Sequence, residues 1–312
     1  MPARILITGA TGFIGSRVAA AARRSAPDAT LLLLSRHRTG TGGATPAPGS
    51  RTVHGDLADP ATLAGACRGA DVLLHCASLI GGPEAGLTAV NDRGTAALVA
   101  DARRHGVGRI VLVSTAAVHG RGPFRGTAPH RAPLAPSSAT SRTRAAAERH
   151  VLAAGGTVLR PHLVYGAGDR WFVPGLAALH RRLAADPAGW DALLSLVDVR
   201  DLAEAAVGAA LGPVPLPGAH FVNHPEPVRC SEIVAALADR LGLRRHRSRI
   251  GLAEARDRLT GDPVGLHALE RLTTDHWFAD GAVWRLTGRD PGPGFAARFA
   301  DHLSWYRQHV PC

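Results

Sequence analysis

The first half of the chain alternates short apolar runs with longer segments of mixed polarity. Five runs have the length and the apolar faces of buried strands: RILITGA, TLLLLSR, RTVHGDL, DVLLHCAS and RIVLVSTA. Helices are predicted between them over residues 14–25, 60–67 and 84–105, and a fourth over 141–154 precedes a last strand, TVLRPHLVY. This alternation predicts an α/β fold built on a parallel, doubly wound sheet.

The pattern loosens after about residue 166. Short predicted helices are separated by proline-rich turns such as GPVPLPG and NHPEPV, as in a smaller unit added to a sheet. We therefore predict a core over residues 1–166 and, over residues 167–312, mainly a cap, with some segments returning to the core. The Gly/Pro/Thr-rich stretch Thr39–Ser50 is expected to be the most flexible segment.

Composition narrows the class of protein. The 312 residues, 46% of them hydrophobic, can bury a large core, and no apolar run reaches the ~18 residues of a membrane span. The start, MPARILITGATG, lacks the plan of a signal peptide. Cys67, Cys76, Cys230 and Cys312 form no CxxC pair, and the histidines show no metal-binding spacing. We therefore expect reduced thiols, no metal, no membrane and a cytoplasmic location.

The formal net charge is +11, and every residue of the Lys+Arg count of 36 is arginine, because the chain contains no lysine. A composition rich in Arg, Ala, Gly and Pro is typical of a GC-rich genome, so the charge alone does not predict a nucleic-acid partner. The densest basic run, Arg244–Arg249, is expected to be a solvated helix end or loop. A basic surface can still attract an anionic substrate or cofactor.

The motif TGATGFIG, Thr8–Gly15, follows the first strand directly and opens a helix. In that context the glycines permit a tight turn, close approach of the backbone to a pyrophosphate, and close packing of helix on strand. The helix N-terminus adds N–H groups without intrahelical partners. The sequence therefore predicts a dinucleotide site.

The GxxGxxG spacing resembles the short-chain dehydrogenase/reductase superfamily, in particular its extended branch of sugar-nucleotide epimerases, dehydratases and ketoreductases, over residues 1 to about 210. The resemblance implies a Rossmann-type NADP-binding core over residues 1–166 and a substrate-binding cap. It also implies that HGDL meets the adenine, that LLHCAS passes the adenosine ribose, and that the stretch RPHL holds the nicotinamide amide. The cofactor-binding residues implied in this way are Gly9, Thr11, Gly12, Phe13, Ile14, Gly15, Asp56, Leu57, Cys76, Ala77, Ser78, Pro161, His162 and Leu163.

The second strand ends in SRHR, where an NAD enzyme usually has an acid that accepts from the ribose 2′-OH. Ser35 and Arg36 instead offer a hydroxyl and a guanidinium, which suit a 2′-phosphate. We therefore expect NADPH/NADP as the cofactor.

The proton donor that the resemblance implies is missing. The family uses a Ser/Thr after the fifth strand, a Tyr that donates the proton, and a Lys four residues later that binds ribose. VSTAAVHG places Thr115 at the Ser/Thr position and His119 at that motif's tyrosine, and RAAAE places Thr140 and Arg144 at the positions of the Tyr and Lys. Arg144 is expected to keep the contact with ribose, whereas a threonine hydroxyl is too weak an acid to replace the Tyr.

Three sources of the proton are open at this point. His119 is able to donate, because an unperturbed histidine titrates near neutrality. A water held by Thr115 or Ser114 is the second source. The third is the substrate itself, since a ketone beside a phenol on a fused aromatic ring carries its own donor. The candidate catalytic residues are thus Thr115, Ser114 and His119.

A substrate of that kind points to the tailoring of aromatic polyketides. WFVPGL lies where the substrate loops of the family are found, and Trp190 is a further candidate for a wall on which a planar ligand stacks. The whole pattern resembles the atypical ketoreductases of angucyclinone antibiotics. The candidate substrate contacts are Leu79, Ile80, Thr140, Trp171 and Phe172.

Three functions compete. The first is an NADPH-dependent ketoreductase of antibiotic biosynthesis, acting without the Tyr/Lys pair on a bulky polycyclic aromatic, angucyclinone-type polyketide. The second is a 4-ketoreductase of a nucleotide-linked 4-keto-deoxysugar, and the third is a redox-silent NADP(H)-binding protein. The expected partner is a small-molecule ketone, with no nucleic acid and no membrane, and the chain is expected to be a monomer or a homodimer.

Overall fold

The computed structural model describes residues 2–37, 49–279 and 281–310. Most of the stretch expected to be flexible, residues 39–48, lies outside them. The strands are β1 (Arg4–Thr8), β2 (Thr30–Ser35), β3 (Ser50–His54), β4 (Val72–His75), β5 (Arg109–Val113), β6 (Phe124–Thr127), β7 (Thr157–Arg160), β8 (Leu163–Tyr165), β9 (Asp186–Pro187), β10 (Leu193–Leu194), β11 (Leu196–Asp198), β12 (Gly218–Phe221), β13 (Val228–Arg229), β14 (Arg249–Ile250) and β15 (His276–Phe278). The helices are α1 (Phe13–Ser25), α2 (Glu84–Leu87), α3 (Thr95–Arg104), α4 (Ala139–Ala153), α5 (Phe172–Leu183), α6 (Val199–Leu211), α7 (Cys230–Leu241), α8 (Leu252–Arg258), α9 (Pro263–Leu272), α10 (Ala282–Thr287), α11 (Phe295–Ala300) and α12 (Leu303–His309).

Seven parallel strands form the central sheet, in the order β12-β7-β5-β4-β1-β2-β3. Alternate residues of each strand point to opposite faces, so Ile5 and Ile7 pack with α1 and α6, while Leu6 packs with α3 and α4. The predicted doubly wound α/β fold is confirmed. Because the winding reverses between β1 and β4, a crevice is expected at the carboxyl ends of these two strands, where open α/β sheets bind ligands.

Three predicted elements differ from those observed. The helix predicted over 60–67 is only a 3₁₀ turn, Pro60–Leu63. The helix predicted over 84–105 is interrupted by a π-helical segment, Thr88–Gly94, where a Cβ on Gly94 would lie 2.3 Å from the carbonyl oxygen of Leu57. The strand TVLRPHLVY is two strands, because a proline cannot donate to a ladder: β7 lies in the central sheet, and β8 pairs with β11.

The second half of the chain builds a cap with its own apolar core. Side chains from α5, α7, α9, α11 and α12 meet in this core, next to a small sheet of order β13-β10-β15-β6. Two segments of the same half lie against the central sheet instead: α6 packs on α1, and β12 pairs with β7. The domain boundary at residue 166 stays a prediction.

Candidate active site

Glycines shape the turn between β1 and α1. Gly9 has φ +68°, and a Cβ there would lie 2.8 Å from the backbone nitrogen of Ala77. A Cβ on Gly15 would lie 2.1 Å from the Gly9 carbonyl oxygen, which also accepts the Gly12 N–H at 2.8 Å. Any side chain at Gly9 or Gly15 would therefore push this turn open.

The N-terminus of α1 completes the predicted phosphate cradle. Its N-cap, Gly12, has no side chain to satisfy the first N–H groups, and the first turn contains no acidic residue. Thr11 and Gly12 are exposed, while Phe13 and Ile14 are half-buried. The helix therefore presents unpaired donors and the positive end of its dipole to an incoming anion.

The residues predicted to bind adenosine lie at the neighbouring strand ends. Ser35 ends β2 in register with His54, the last residue of β3, and Asp56 follows two residues later. The Asp56 carboxylate accepts the N–H of Ala58 at 2.9 Å, and Ser35 Oγ accepts the N–H of His37 at 3.1 Å. Arg36 is exposed and forms no ion pair within the described part of the chain, so its guanidinium is open to a ligand.

A buried chain of hydrogen bonds fixes the loop that follows β4. Thr8 Oγ1 accepts the backbone N–H groups of Cys76 at 3.2 Å and Ala77 at 3.1 Å. Burial lowers the pKa of His75 to about 3, so its ring is neutral. Thr8 therefore donates to His75 Nδ1 at 2.6 Å, and His75 Nε2–H donates to Thr95 at 2.9 Å. These contacts hold the predicted ribose segment against the glycine turn.

Asn91 was not identified from the sequence, although it orders the next part of this loop. Its side-chain amide is buried, accepts the N–H of Leu79 at 2.8 Å, and donates to the Leu79 carbonyl and to Thr143 Oγ1, both at 3.0 Å. Leu79 and Ile80 stay exposed, as a substrate contact requires. A lone polar residue in a helical run gives no signal of this role.

Thr115 and Thr140 are the two threonines that the resemblance places near the family's chemistry. Thr115 Oγ1 is half-buried and accepts the N–H of Ala117 at 3.1 Å, so its own proton is free for another acceptor. Thr140, in the first turn of α4, accepts the N–H of Gly81 at 3.4 Å. Residues 81 and 140 thus bring the loop after β4 next to the start of α4.

Arg144 stands where the resemblance places the family's lysine. The side chain is buried, donates to the Val113 carbonyl at the end of β5, and leaves its Nε without a partner. Burial lowers the pKa of this guanidinium. The guanidinium therefore keeps one buried donor without an acceptor, beside the end of β5 and the Val113 carbonyl, two residues before Thr115 in the chain.

The structure assigns Ser114 and His119 to a buried network, which corrects their proposed catalytic roles. Ser114 Oγ donates to Glu148 Oε1, and Arg160 donates to both oxygens of Glu148 at 2.5–3.2 Å. The His119 ring is bonded to the Pro133 carbonyl at 2.9 Å and to Arg160 Nη1 at 3.3 Å, and burial lowers its pKa. Both ring nitrogens are engaged and the residue is 2% exposed, so His119 is not placed to act as the acid.

The predicted nicotinamide segment joins the central sheet to the cap. Pro161 accepts the N–H of Ala116 at 2.8 Å, and Leu163 is buried in the cap core. The backbone N–H of His162 donates to Asn223 Oδ1 at 2.9 Å, and its half-buried ring stacks on His276 with centroids 5.3 Å apart and planes 7° from parallel. Neither Asn223 nor His276 was identified from the sequence.

Among the aromatic candidates only Trp171 has the exposure of a stacking surface. Its side chain is 63% exposed at the start of α5. Phe172 and Trp190 are each 4% exposed within the cap core, where Trp190 stacks on His180. The expectation that these two residues contact substrate is therefore wrong, because they fill the core instead.

A metal-binding cluster and a membrane-spanning helix are both absent from the described residues. No group of three or more His, Cys, Asp or Glu side chains there is placed to hold a metal ion. Within the same residues, no helix combines the length and the apolar character needed to cross a membrane.

Comparison with known proteins gives the family. The sequence profile of the NAD dependent epimerase/dehydratase family matches residues 5–221. The chain belongs to this family. As a member, it is similar to the 2-alkyl-3-oxoalkanoate reductase of Stenotrophomonas maltophilia (strain K279a), with 30% identity over 88% of this chain and 91% of that protein. The prediction of an enzyme is thereby confirmed, which leaves the redox-silent alternative without support.

Two further proteins are similar to this chain. A 4-hydroxy-2-methyl-3-oxo-4-farnesyl-3,4-dihydroquinoline-1-oxide ketoreductase of Stigmatella aurantiaca is 31% identical over 55% of this chain and 54% of that protein. The crystal structure of the Bordetella bronchiseptica enzyme WbmH in complex with NAD+ superposes with a TM-score of 0.76 at 20% identity, over 98% of this chain and 99% of that one. The second likeness shows the fold.

Proposed function

We propose that the protein is an NADPH-dependent ketoreductase that reduces a ketone on a bulky, polycyclic aromatic compound of angucyclinone type. One observation carries the proposal: Thr140 stands where the family's tyrosine, its proton donor, is expected. The chain has no lysine to accompany such a tyrosine, and the neighbouring loops expose apolar side chains. The names of the two curated relatives, an oxoalkanoate reductase and a dihydroquinoline ketoreductase, support reduction of a ketone.

A pyridine dinucleotide fits the residues that are present. The turn between β1 and α1 has no room for a Cβ at Gly9 or Gly15, and the unpartnered Arg144 Nε supplies a donor where the nicotinamide ribose is expected. When bound, this cofactor supplies a hydride to the carbonyl carbon. The free proton of Thr115 is then placed to hydrogen-bond the carbonyl oxygen as negative charge develops on it.

The exposed apolar side chains support a large, flat substrate. Four of the seven large hydrophobic residues that the described chain leaves exposed lie on loops at the carboxyl edge of the sheet or at the start of α5: Leu79, Ile80, Leu134 and Trp171. The Ala135 N–H donates to the Val118 carbonyl at 3.0 Å, which ties the loop of Leu134 to the segment that follows β5. Exposed apolar clusters of this kind mark ligand-binding surfaces.

The proposed role of Thr115 predicts a kinetic defect. Thr115→Val keeps the shape of the side chain but removes the hydroxyl donor, so kcat/KM with NADPH and a 2-hydroxyaryl ketone is expected to fall about 10²-fold. Thr140→Ala is the matched control and should keep most of the activity. Equal rates for the Val variant and the starting enzyme would remove Thr115 from the proposed reaction.

The cofactor preference rests on Arg36. We expect NADP(H) to bind roughly tenfold tighter than NAD(H), because the exposed guanidinium can form charge-assisted hydrogen bonds with a 2′-phosphate. Arg36→Ala should reduce this ratio to nearly one without weakening NAD(H). Titration of each nucleotide by fluorescence or calorimetry measures both values, and equal affinities in the starting protein would contradict the assignment.

A further inference from the structure

A short loop, Gly166–Asp169, joins β8 to α5 and lies against the first turns of α1. Gly168 has φ +104°, and a Cβ there would lie 2.9 Å from Cδ2 of Phe13, the first residue of α1. One turn further along this helix, Arg17 Nη2 donates to the Ala167 carbonyl at 3.1 Å. The loop backbone therefore packs directly on the helix whose N-terminus forms the predicted phosphate cradle.

The other side of the loop is bound by the C-terminal helix α12. The buried Tyr306 hydroxyl accepts the Gly166 N–H at 2.8 Å and donates to Asp169 Oδ2 at 3.1 Å. Burial raises the pKa of this hydroxyl, so it keeps the proton that it donates. Asp169 in turn accepts three backbone N–H groups at the start of α5, among them that of the exposed Trp171, at 2.8–2.9 Å. One hydroxyl thus fixes both the loop and the start of the helix that carries Trp171.

His302, the N-cap of α12, adds a second contact to the same loop. Its Nδ1 accepts the Ala167 N–H at 3.1 Å, so the ring proton must be on Nε2, which donates to Asp198 Oδ2 at 2.6 Å. Asp198 is itself the N-cap of α6 and accepts the Arg200 N–H at 2.7 Å. His302 and Asp198 are both buried. The ring therefore links the start of α6 to the loop and uses both of its nitrogens to do so.

The loop is held from both sides by residues that are distant in the sequence. Its partners Arg17, His302 and Tyr306 lie 150, 135 and 140 residues from the groups that they bind. Loops that connect a strand to a helix usually run over the surface and are more mobile than the elements that they join. Here a change in the position of α12 would move the backbone that packs on Phe13 and, at the same time, the start of α5 that carries Trp171.

We propose that His302 and Tyr306 are positioning residues that, through the loop Gly166–Asp169, set the distance between the phosphate cradle and the apolar side chain of Trp171. This inference rests on the proposed function for the part that Trp171 plays in binding the ketone. The two side chains act through the backbone of the loop, and no proton passes through them. Their effect on the rate follows from geometry, because hydride transfer needs the reacting atoms within about 3–3.5 Å of each other, and a misplacement of about 1 Å can cost about 10²-fold.

Two replacements of His302 separate positioning from stability. In His302→Asn the amide oxygen lies near the place of Nδ1 and still accepts the Ala167 N–H, whereas in His302→Gln the amide lies near the place of Nε2 and still reaches Asp198. The bond to the carboxylate is the stronger of the two, so His302→Asn should unfold at the lower urea concentration. Only His302→Gln should lower kcat/KM for a 2-hydroxyaryl ketone, by about tenfold. His309→Gln, on the exposed side of α12, is the control and should change neither value.

Hydrogen exchange read by mass spectrometry tests the contact without turnover. In a peptide that covers residues 163–172, the loop amides should exchange about tenfold faster in His302→Gln and in Tyr306→Phe than in the starting protein or His302→Asn, because a backbone N–H loses its acceptor. Saturation with NADP+ or NAD+, whichever binds more tightly, should slow this exchange in the starting protein and much less in the two loosened variants. Tyr306→Phe keeps the packing of the ring and gives a second measurement should a His302 variant not fold.

The outcomes separate this inference from the proposed function. If no ketone is reduced but the dinucleotide still slows loop exchange in a way that depends on His302 and Tyr306, the proposed function fails and the positioning role stands. Equal loop exchange in folded His302→Gln and His302→Asn would overturn the positioning role, as would a kcat/KM that follows stability rather than the contact with Ala167. A loop that is loosened in Tyr306→Phe at unchanged kcat/KM, with a ketone that the starting enzyme reduces, would also overturn it.

Discussion

Glu148→Ala is expected to lower the free energy of unfolding by about 3–5 kcal/mol, because it leaves the buried Arg160 guanidinium without its counter-charge. Glu148 and Arg160 are 1% and 5% exposed at the side chain, and Arg160 donates to both carboxylate oxygens. The Ser114 hydroxyl, also bonded to this carboxylate, would lose its partner as well. Urea denaturation followed by circular dichroism measures the loss.

A surface pair of the same chemistry provides the control. Arg125 lies 2.6 Å from Asp275, but its side chain is 70% exposed, so Arg125→Ala should cost no more than about 1 kcal/mol. Ser114→Ala removes only one hydrogen bond to Glu148 and should fall between the two. A Glu148→Ala variant as stable as Arg125→Ala would show that the network contributes little to folding. A catalytic role for Ser114 would instead appear as lost activity at unchanged stability.

The sequence was sufficient to predict the central sheet and the phosphate turn, because both depend on neighbouring residues. Strand patterns are local, and the spacing of Gly9, Gly12 and Gly15 after an apolar run sets a backbone conformation that few other contexts require. Element boundaries failed where a distant contact decided them, as at the π-helical segment, where Gly94 approaches Leu57.

The chemistry of the crevice was less predictable, because its partners lie far apart in the chain. His119 was a reasonable candidate acid until its contacts with Pro133 and Arg160 were known, 14 and 41 residues away. An apolar aromatic run cannot distinguish a ligand wall from a core, which is why Phe172 was assigned to substrate.

The last prediction concerns the source of the proton. With the His119 ring engaged on both nitrogens and Thr140 too weak an acid, we expect methylation of the neighbouring phenol to lower kcat/KM of a 2-hydroxyaryl ketone by about 10²–10⁴-fold, the contribution of a positioned general acid. The comparison uses two ketones that differ only in this methyl group, with binding of each measured separately.

Restoring the family's pair by Thr140→Tyr with Arg144→Lys should not raise the rate on the free phenol. Thr140 lies against Gly81 at the crowded start of α4, and a tyrosine there would take space from a wide ring system.

If the methylated ketone binds and is reduced as fast as the free phenol, the substrate is not the donor. A water bound by Thr115 would then be the group to test, through a solvent isotope effect that disappears in Thr115→Val.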